Sequence, residues 1–333
     1  MIEAAWWEPQ TNGQAACHLC PIGCRLREGQ VGPCGTRANQ GGVMRPLHYG
    51  QVVSLGVDPM EKKPLYHFHP GRRIMSVAAP GCNLHCLFCQ NWSISQEQGQ
   101  RTVAVEPEDL IATARREESV GLAYTYSEPL VWYEFVRDCA RAVRTAGMKN
   151  VLVTNGFLCR EPLAEILPAI DAANIDLKSM DDRFYRKVCK ARLEPVLLAI
   201  RQFLASGVHV ELTNLVIPGH NDSDEQLMAL VDFVAELEQE VGRPIPLHFS
   251  AYRPAWKMTA PATPHATLLR ARNLARRKLE WVYLGNVPGR EGRDTHCPHC
   301  GVVVIERGGP QAQLDLSAAG ACGTCGGPLP IIC

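Results

Sequence analysis

The segment Cys82-Asn-Leu-His-Cys86-Leu-Phe-Cys89 carries the sharpest chemical signal in the chain. A cubane iron–sulfur cluster has four irons and takes four thiolates when it is saturated. Three cysteines within eight residues can wrap one [4Fe–4S] cluster and leave its fourth iron open to a substrate. Gly81, just before the first cysteine, lacks a Cβ and lets the chain run close to the metal. A zinc site short of one ligand is the alternative that the spacing leaves open.

Eight further cysteines fall in two quartets. Near the C-terminus, Cys297-Pro-His-Cys300 and Cys322-Gly-Thr-Cys325 form two Cys-x-x-Cys knuckles roughly twenty residues apart, the spacing of a closed tetrahedral zinc site. Near the N-terminus, Cys17, Cys20, Cys24 and Cys34 can close a second zinc site or saturate an auxiliary iron–sulfur cluster. Both metals accept four thiolates, so spacing does not separate them; zinc is the expectation here. Cys139, Cys159, Cys189 and Cys333 are left over and are expected to be small buried hydrophobes or surface thiols.

These clusters need a scaffold, and the texture of the chain suggests one. Residues 1–70 are rich in Gly, Pro and Cys and read as a metal-stapled module and linker. Residues 71–290 alternate short apolar runs with amphipathic stretches, the signature of β–α units around a parallel sheet. Strands are expected over 74–78, 122–126, 150–154, 172–177, 208–217, 246–249 and 281–284. Helices are expected over 107–119, 130–146 and 224–240, with Pro107 in a first turn, Asp222 or Ser223 as a cap and Gly147 as a stop. Residues 291–333 form a separate small module around the β-branched run 302–305.

Composition narrows the function classes. Of 333 residues, 46% are hydrophobic, enough for a full core, and the 20% that are charged balance to zero, which gives no general pull toward nucleic acid or anionic membrane. No apolar run approaches the roughly 20 residues of a membrane span, and the N-terminus lacks a signal-peptide pattern, so a cytoplasmic location is expected. Fifteen cysteines there point to metal ligands instead of disulfides.

With the aromatic Phe88 before its last cysteine, the central Cys-x3-Cys-x2-Cys run resembles the motif of the radical S-adenosylmethionine (SAM) superfamily. Tyr126-Ser127-Glu128-Pro129 resembles the Gly-Gly-Glu-Pro motif that binds the methionine ammonium of SAM. Thr154-Asn155-Gly156, Asp176-Leu177-Lys178 and Val216-Ile217-Pro218-Gly219 resemble stretches of the glycyl-radical-enzyme activases, the last of them lying along the adenine. The chain is closer still to one branch, the radical SAM enzyme of the AmmeMemoRadiSam system. The marks of that branch are Cys17-His-Leu-Cys20-Pro-Ile-Gly-Cys24, Asp58-Pro-Met-Glu-Lys-Lys-Pro-Leu65, Cys89-Gln-Asn-Trp92, Gly285-Asn-Val-Pro-Gly289 and the C-terminal pairs.

This resemblance implies an α/β fold with a partial (β/α)6 barrel, flanked by the N-terminal four-cysteine module and a zinc-ribbon-like C-terminal module. It implies a [4Fe–4S] cluster that cleaves SAM reductively to a 5′-deoxyadenosyl radical, acting on an unidentified substrate. Phe88, Ser127, Glu128, Thr154, Asn155, Asp176, Lys178, Ile217 and His248 are the implied cofactor-binding residues. Implied partners are a ferredoxin or flavodoxin and Memo-like and AMMECR-like proteins. Activation of a glycyl-radical enzyme and modification of nucleic acid are the competing functions. Two departures stand out: Val153 replaces an acidic residue often found before Thr-Asn-Gly, and the sixth strand reads Leu247-His248 and Ser250-Ala251 where the branch usually has Trp-His and Ser-Arg.

The residue chemistry allows these roles and blander ones. Glu128 has the charge to hold an ammonium, or it starts a helix as an exposed carboxylate. Ser127 offers a small hydroxyl to a carboxylate edge. Asp176 and Lys178 alternate on one strand and point the same way, to bind a ligand or to pair with each other. Thr154 and Asn155 can donate to a ribose or simply shape a turn. Two weaker signals are Tyr66-His67-Phe68-His69, whose histidines line a pocket or meet solvent, and a basic helix carrying Arg270, Arg272, Arg276, Arg277 and Lys278 before the last strand, which meets RNA phosphates or, as expected in a neutral chain, forms a solvated face.

Overall fold

The computed structural model describes residues 2–309 and 311–333. Its centre is an eight-stranded sheet: β1 (Ser54–Pro59), β2 (Arg73–Ala78), β3 (Gly121–Tyr124), β4 (Lys149–Thr154), β5 (Ala172–Asp176), β6 (His209–Val216), β7 (Leu247–Ala251) and β8 (Val282–Gly285). The spatial order is the chain order, from β1 at one edge to β8 at the other. Strands β2 to β8 run parallel, and β1 joins antiparallel to β2. Ser54–Pro59 thus belongs to the main sheet, not to the N-terminal module and linker in which the sequence put it.

Parallel strands covered on both faces lose the polar–apolar alternation of a half-exposed strand. Strand β3, Gly-Leu-Ala-Tyr, is buried at every position, and β6 at all but one. Helices α1 (Pro107–Arg116), α2 (Tyr133–Thr145), α3 (Arg160–Ile166), α4 (Leu193–Ala205), α5 (Asp224–Val241) and α6 (His265–Ala275) connect the strands. Pro107 opens α1, where its missing N–H costs nothing. Ser223 caps α5 in a capping box with Gln226, and Gly242 ends it at φ 65°. Helix α2 buries Phe135, Val136 and Val143, each such side chain contributing about 1.5–3 kcal/mol when fully covered.

The N-terminal module is a three-stranded antiparallel sheet (Trp7–Pro9, Ala15–Cys17, Arg25–Leu26) and a hairpin (Arg37–Gln40 with Val43–Pro46). Leu19, Leu26 and Met44 share one continuous core with Leu84, Trp132 and Phe135 of the main domain. At the other end, Thr295–His296, Val303–Glu306 and Gln313–Leu314 form a three-stranded antiparallel sheet over a small core of Cys297, Val304, Ile305, Cys322 and Ile331. Among the described residues no helix is long and apolar enough to cross a membrane.

Where this C-terminal module meets the N-terminal ends of the parallel strands, a buried polar network replaces two sequence expectations. Both Glu211 oxygens accept: Oε1 from the His67 amide (2.7 Å) and His209 Nε2 (3.0 Å), Oε2 from the Tyr66 amide (2.9 Å) and His248 Nε2 (2.6 Å). Burial pushes the Glu211 carboxyl up, but the hydrogen bonds from His209 and His248 outweigh it and hold it well below the usual range. His67 is fully buried, with its ring on the Tyr283 hydroxyl (2.6 Å) and the Pro330 carbonyl (3.1 Å); it neither lines a ligand pocket nor meets solvent. His248, expected at the cofactor, is held in this network instead: it shares a strand face with the cavity-lining Ser250 but lies two residues nearer the N-terminal end of β7, at the level of Glu211 and Tyr66.

The basic stretch is also accounted for. Arg270 pairs with Asp224, Lys278 pairs with Asp232 at 2.5 Å, and Arg272 donates to the Val282 carbonyl. Helix α6 turns part of its charge to its neighbour α5, leaving less for phosphates.

Candidate functional site

The C-terminal ends of the parallel strands surround a cavity of about 320 Å³, within the usual size of small-molecule sites. Cys82, Cys86 and Cys89 follow β2 on one wall. Ser127 and Glu128 follow β3, Thr154 and Asn155 close β4, and Asp176 and Lys178 close β5. Phe88 also lines it. Ile217 is buried beyond the end of β6 and is not part of the lining, where Thr213 and Leu215 represent that strand.

Glu128 is fully buried, not an exposed helix start. Its Oε1 accepts from the Thr154 hydroxyl (2.7 Å) and the Leu130 amide (3.0 Å), and its Oε2 accepts from the Asn155 amide (2.8 Å). It does cap the short helical turn Pro129–Val131, so both roles coexist. A carboxylate has about four acceptor positions, and three are filled. The fourth, on Oε2, is free for a donor from the cavity. Burial pushes the carboxyl up to about 7 even though the Asn155, Thr154 and Leu130 hydrogen bonds pull it down. A cation brought into the cavity would favour the ionised form.

Thr154 and Asn155 are committed to the protein. The Thr154 hydroxyl donates to Glu128 and accepts from the Gly156 amide (3.1 Å). Asn155 Nδ2 reaches Asn83 Oδ1 (3.0 Å) and the Cys82 sulfur (3.7 Å), while its Oδ1 accepts from the Phe157 amide (2.8 Å). The Ser127 hydroxyl donates to the Ala79 carbonyl at 2.5 Å, so it faces the cavity as an acceptor. Asp176 and Lys178 point the same way and pair at 2.8 Å. Burial pushes the Lys178 ammonium down, but Asp176 and the nearby thiols of Cys86 and Cys189 outweigh that and keep it charged.

Several residues of this site escape a linear reading. Tyr126 holds a left-handed φ of 70°, a conformation that glycine adopts without strain. Its carbonyl accepts from Asn91 Nδ2 (2.7 Å), and its hydroxyl donates to Asp58, which also takes Lys63 (2.8 Å) and Ser76 (2.9 Å). The Lys63 side chain is completely buried. Asp58 and Lys63 lie in the stretch already singled out as a branch mark, so a signal was present without a visible role. Ser250 and Asn286 line the far wall of the cavity. Cys189, read as a leftover, closes a π-helical turn, Tyr185–Cys189, and its carbonyl accepts from the His85 amide (3.0 Å) beside Cys86.

The C-terminal quartet meets the demands of a tetrahedral metal. Its four sulfurs lie within 4.8 Å of one another, with Cys297 to Cys325 at 3.7 Å and Cys300 to Cys322 at 3.8 Å. Four ligands at about 2.3 Å from one zinc stand just under 4 Å apart.

Residues 76–231 match the family model of the radical SAM superfamily. The chain is 44% identical over 339 residues to an uncharacterized protein of Methanocaldococcus jannaschii, with 100% of both chains covered. It is 30% identical over 176 residues to the pyruvate formate-lyase 1-activating enzyme of Escherichia coli, covering 50% of this chain and 70% of that one. Among solved structures, SuiB of Streptococcus suis bound to S-adenosylmethionine superposes with a TM-score of 0.51 at 17% identity, over 65% of this chain and 52% of that one, a likeness of fold.

Proposed function

Because the chain belongs to the radical SAM superfamily, we propose that Cys82, Cys86 and Cys89 hold a [4Fe–4S] cluster and that the adjoining cavity binds SAM. The observation that carries this reading is convergence. Three thiols, a buried carboxylate with one free acceptor position and a buried ammonium meet in one cavity at the C-terminal strand ends, where α/β enzymes keep their sites. The donor set fits the cluster: three soft sulfurs line the cavity, with no fourth cysteine among its lining. When bound, the cluster supplies the electron that splits SAM into methionine and a 5′-deoxyadenosyl radical, which takes a hydrogen atom from the substrate.

The protein's own residues orient the ligand and shield it. Glu128 Oε2 takes the methionine ammonium, with the Thr154 and Asn155 bonds holding the carboxylate still. Ser127, an acceptor here, adds a second contact to the same ammonium instead of donating to the carboxylate. Lys178 is the cation available to the SAM carboxylate, and Val153 adds no competing charge. Asn155 supports the Cys82 thiolate through its amide N–H.

On the finer points we read the open parallel sheet as a partial radical SAM barrel, the enzyme as AmmeMemoRadiSam-type, and the C-terminal module as a zinc-ribbon-like domain with a structural zinc. We expect a low-potential ferredoxin or flavodoxin as electron donor, Memo-like and AMMECR-like proteins as company, and a cytoplasmic location. A glycyl-radical activase is the second reading, favoured by the activating-enzyme relative. The full-length relative, by contrast, aligns across all of this chain, both cysteine modules included. The test is anaerobic reconstitution followed by dithionite and SAM. 5′-Deoxyadenosine should form, and the Cys82/Cys86/Cys89→Ala variant should make none. Product from that variant would overturn the reading.

A further inference from the structure

We propose that Cys17, Cys20, Cys24 and Cys34 bind an auxiliary [4Fe–4S] cluster and not zinc. The sequence leaves both metals open, but the two demand different sulfur spacings. Tetrahedral zinc draws its four thiolates to just under 4 Å apart. A cubane places one thiolate outside each of four irons and spreads them to on the order of 6 Å.

This protein contains its own standard for each case. The C-terminal quartet is drawn tight, with sulfur pairs at 3.7 and 3.8 Å. Among the described residues it is the one group of three or more His, Cys, Asp or Glu whose ligand atoms all lie within 4.8 Å of one another. Cys82, Cys86 and Cys89 do not form such a group, and neither does the N-terminal quartet. No three of the N-terminal sulfurs therefore share the close mutual spacing of the C-terminal knuckles, and the same holds for the triad proposed to bind the central cluster.

The space between them suits a cluster. All four cysteines line one small cavity, together with Leu19, Leu26 and Val131. Arg37 closes it from one side. Its guanidinium is buried, reaches the Cys17 sulfur at 3.5 Å and pairs with buried Glu134. A buried cation at a thiolate offsets part of the negative charge of a four-thiolate cluster. Its Nε has no partner and remains available to a sulfide or thiolate.

The quartet also adjoins the central triad. The Cys82 amide donates to the Cys34 carbonyl at 3.1 Å. Gly81, at φ 99°, passes so close that a Cβ would stand 2.5 Å from that carbonyl oxygen. One hydrogen bond thus joins a ligand of each site, and an electron from a ferredoxin-class donor could pass from the N-terminal cluster to the central one.

The full chain should be prepared anaerobically beside the Cys82/Cys86/Cys89→Ala variant, with iron, acid-labile sulfide and zinc measured in each. The proposal expects about eight irons and one zinc in the full chain and about four irons with one zinc in the variant. The reduced variant should still give the electron paramagnetic resonance signal of a [4Fe–4S]⁺ cluster. A variant with no iron and two zincs would overturn the proposal, as would an empty quartet. Should the triple variant not fold, Cys20→Ser/Cys24→Ser in the full chain decides: halved iron supports the cluster, whereas unchanged iron with zinc falling from two to one refutes it. Neither result depends on SAM cleavage, so a quartet cluster can stand even where 5′-deoxyadenosine is never formed.

Discussion

The hydroxyl of Thr154 donates to Oε1 of Glu128 at 2.7 Å, tying the end of one strand to the buried carboxylate that follows its neighbour. Together with the Asn155 and Leu130 amides it fixes the carboxylate plane and leaves one acceptor position open. Glu128→Gln keeps the shape, removes the charge and turns one acceptor into a donor. A charge-assisted hydrogen bond is worth about 1.5–3 kcal/mol. SAM affinity should therefore drop roughly tenfold to a hundredfold with iron content unchanged. Equilibrium binding of SAM to the variant is the check, and unchanged binding would reduce Glu128 to a helix cap.

Lys63 lies wholly inside the protein with Asp58 as its counter-ion, and Asp58 also takes the hydroxyls of Tyr126 and Ser76. Removing one partner strands the other as an uncompensated buried charge, which costs about 3–5 kcal/mol. Asp58→Ala should destabilise the protein on that scale. It should also weaken SAM binding, because Tyr126 begins the loop that presents Ser127 and Glu128. Denaturant unfolding and SAM titration of one sample would separate the effects; loss of neither would remove Asp58 from this role.

Glu211 accepts four hydrogen bonds and is held well below its ordinary range once the His209 and His248 contacts outweigh burial. A carboxylate with a depressed folded-state value stabilises the fold above its unfolded value, near 4.5, and loses that contribution as pH falls below it. In Glu211→Gln two of the four donors lose their acceptor, at about 1–3 kcal/mol each. The variant should be less stable at neutral pH and show a shallower loss of stability below pH 4.5 than the parent. Unfolding curves across that range test both parts.

The C-terminal quartet should hold one zinc as a structural ion. Cys300→Ser/Cys322→Ser should lose one zinc per chain while iron stays constant and the 295–314 sheet becomes protease-sensitive. Retention of that zinc would show that it sits elsewhere.

Much of this architecture was legible because it is locally encoded. Alternation of apolar runs with amphipathic helices located all seven parallel strands to within two or three residues, since strand burial and helix faces are written at short range. The cysteine groups were equally plain, because metal ligands within a few residues of each other sit on one loop. Helices α3 and α4 were missed: Pro162 and Pro195 sit inside their first turns, where a linear reading takes proline as a breaker.

What the sequence alone determined is which residue types are brought to which strand end: three cysteines after β2, a carboxylate after β3, and an Asp–Lys pair at β5. Tertiary structure alone decided what each side chain is free to do. His248 carries a plausible motif position, yet it lies deeper along its strand than the cavity-lining Ser250, where Glu211 takes it. Ser127 has a donor on paper, but the Ala79 carbonyl takes it. Four cysteines spell zinc or iron equally well in one dimension. Only the fold brings them around one cavity with Leu19, Leu26 and Arg37 and keeps them from the close mutual spacing of the C-terminal quartet, and sulfur spacing is what distinguishes one metal ion from a cluster of four.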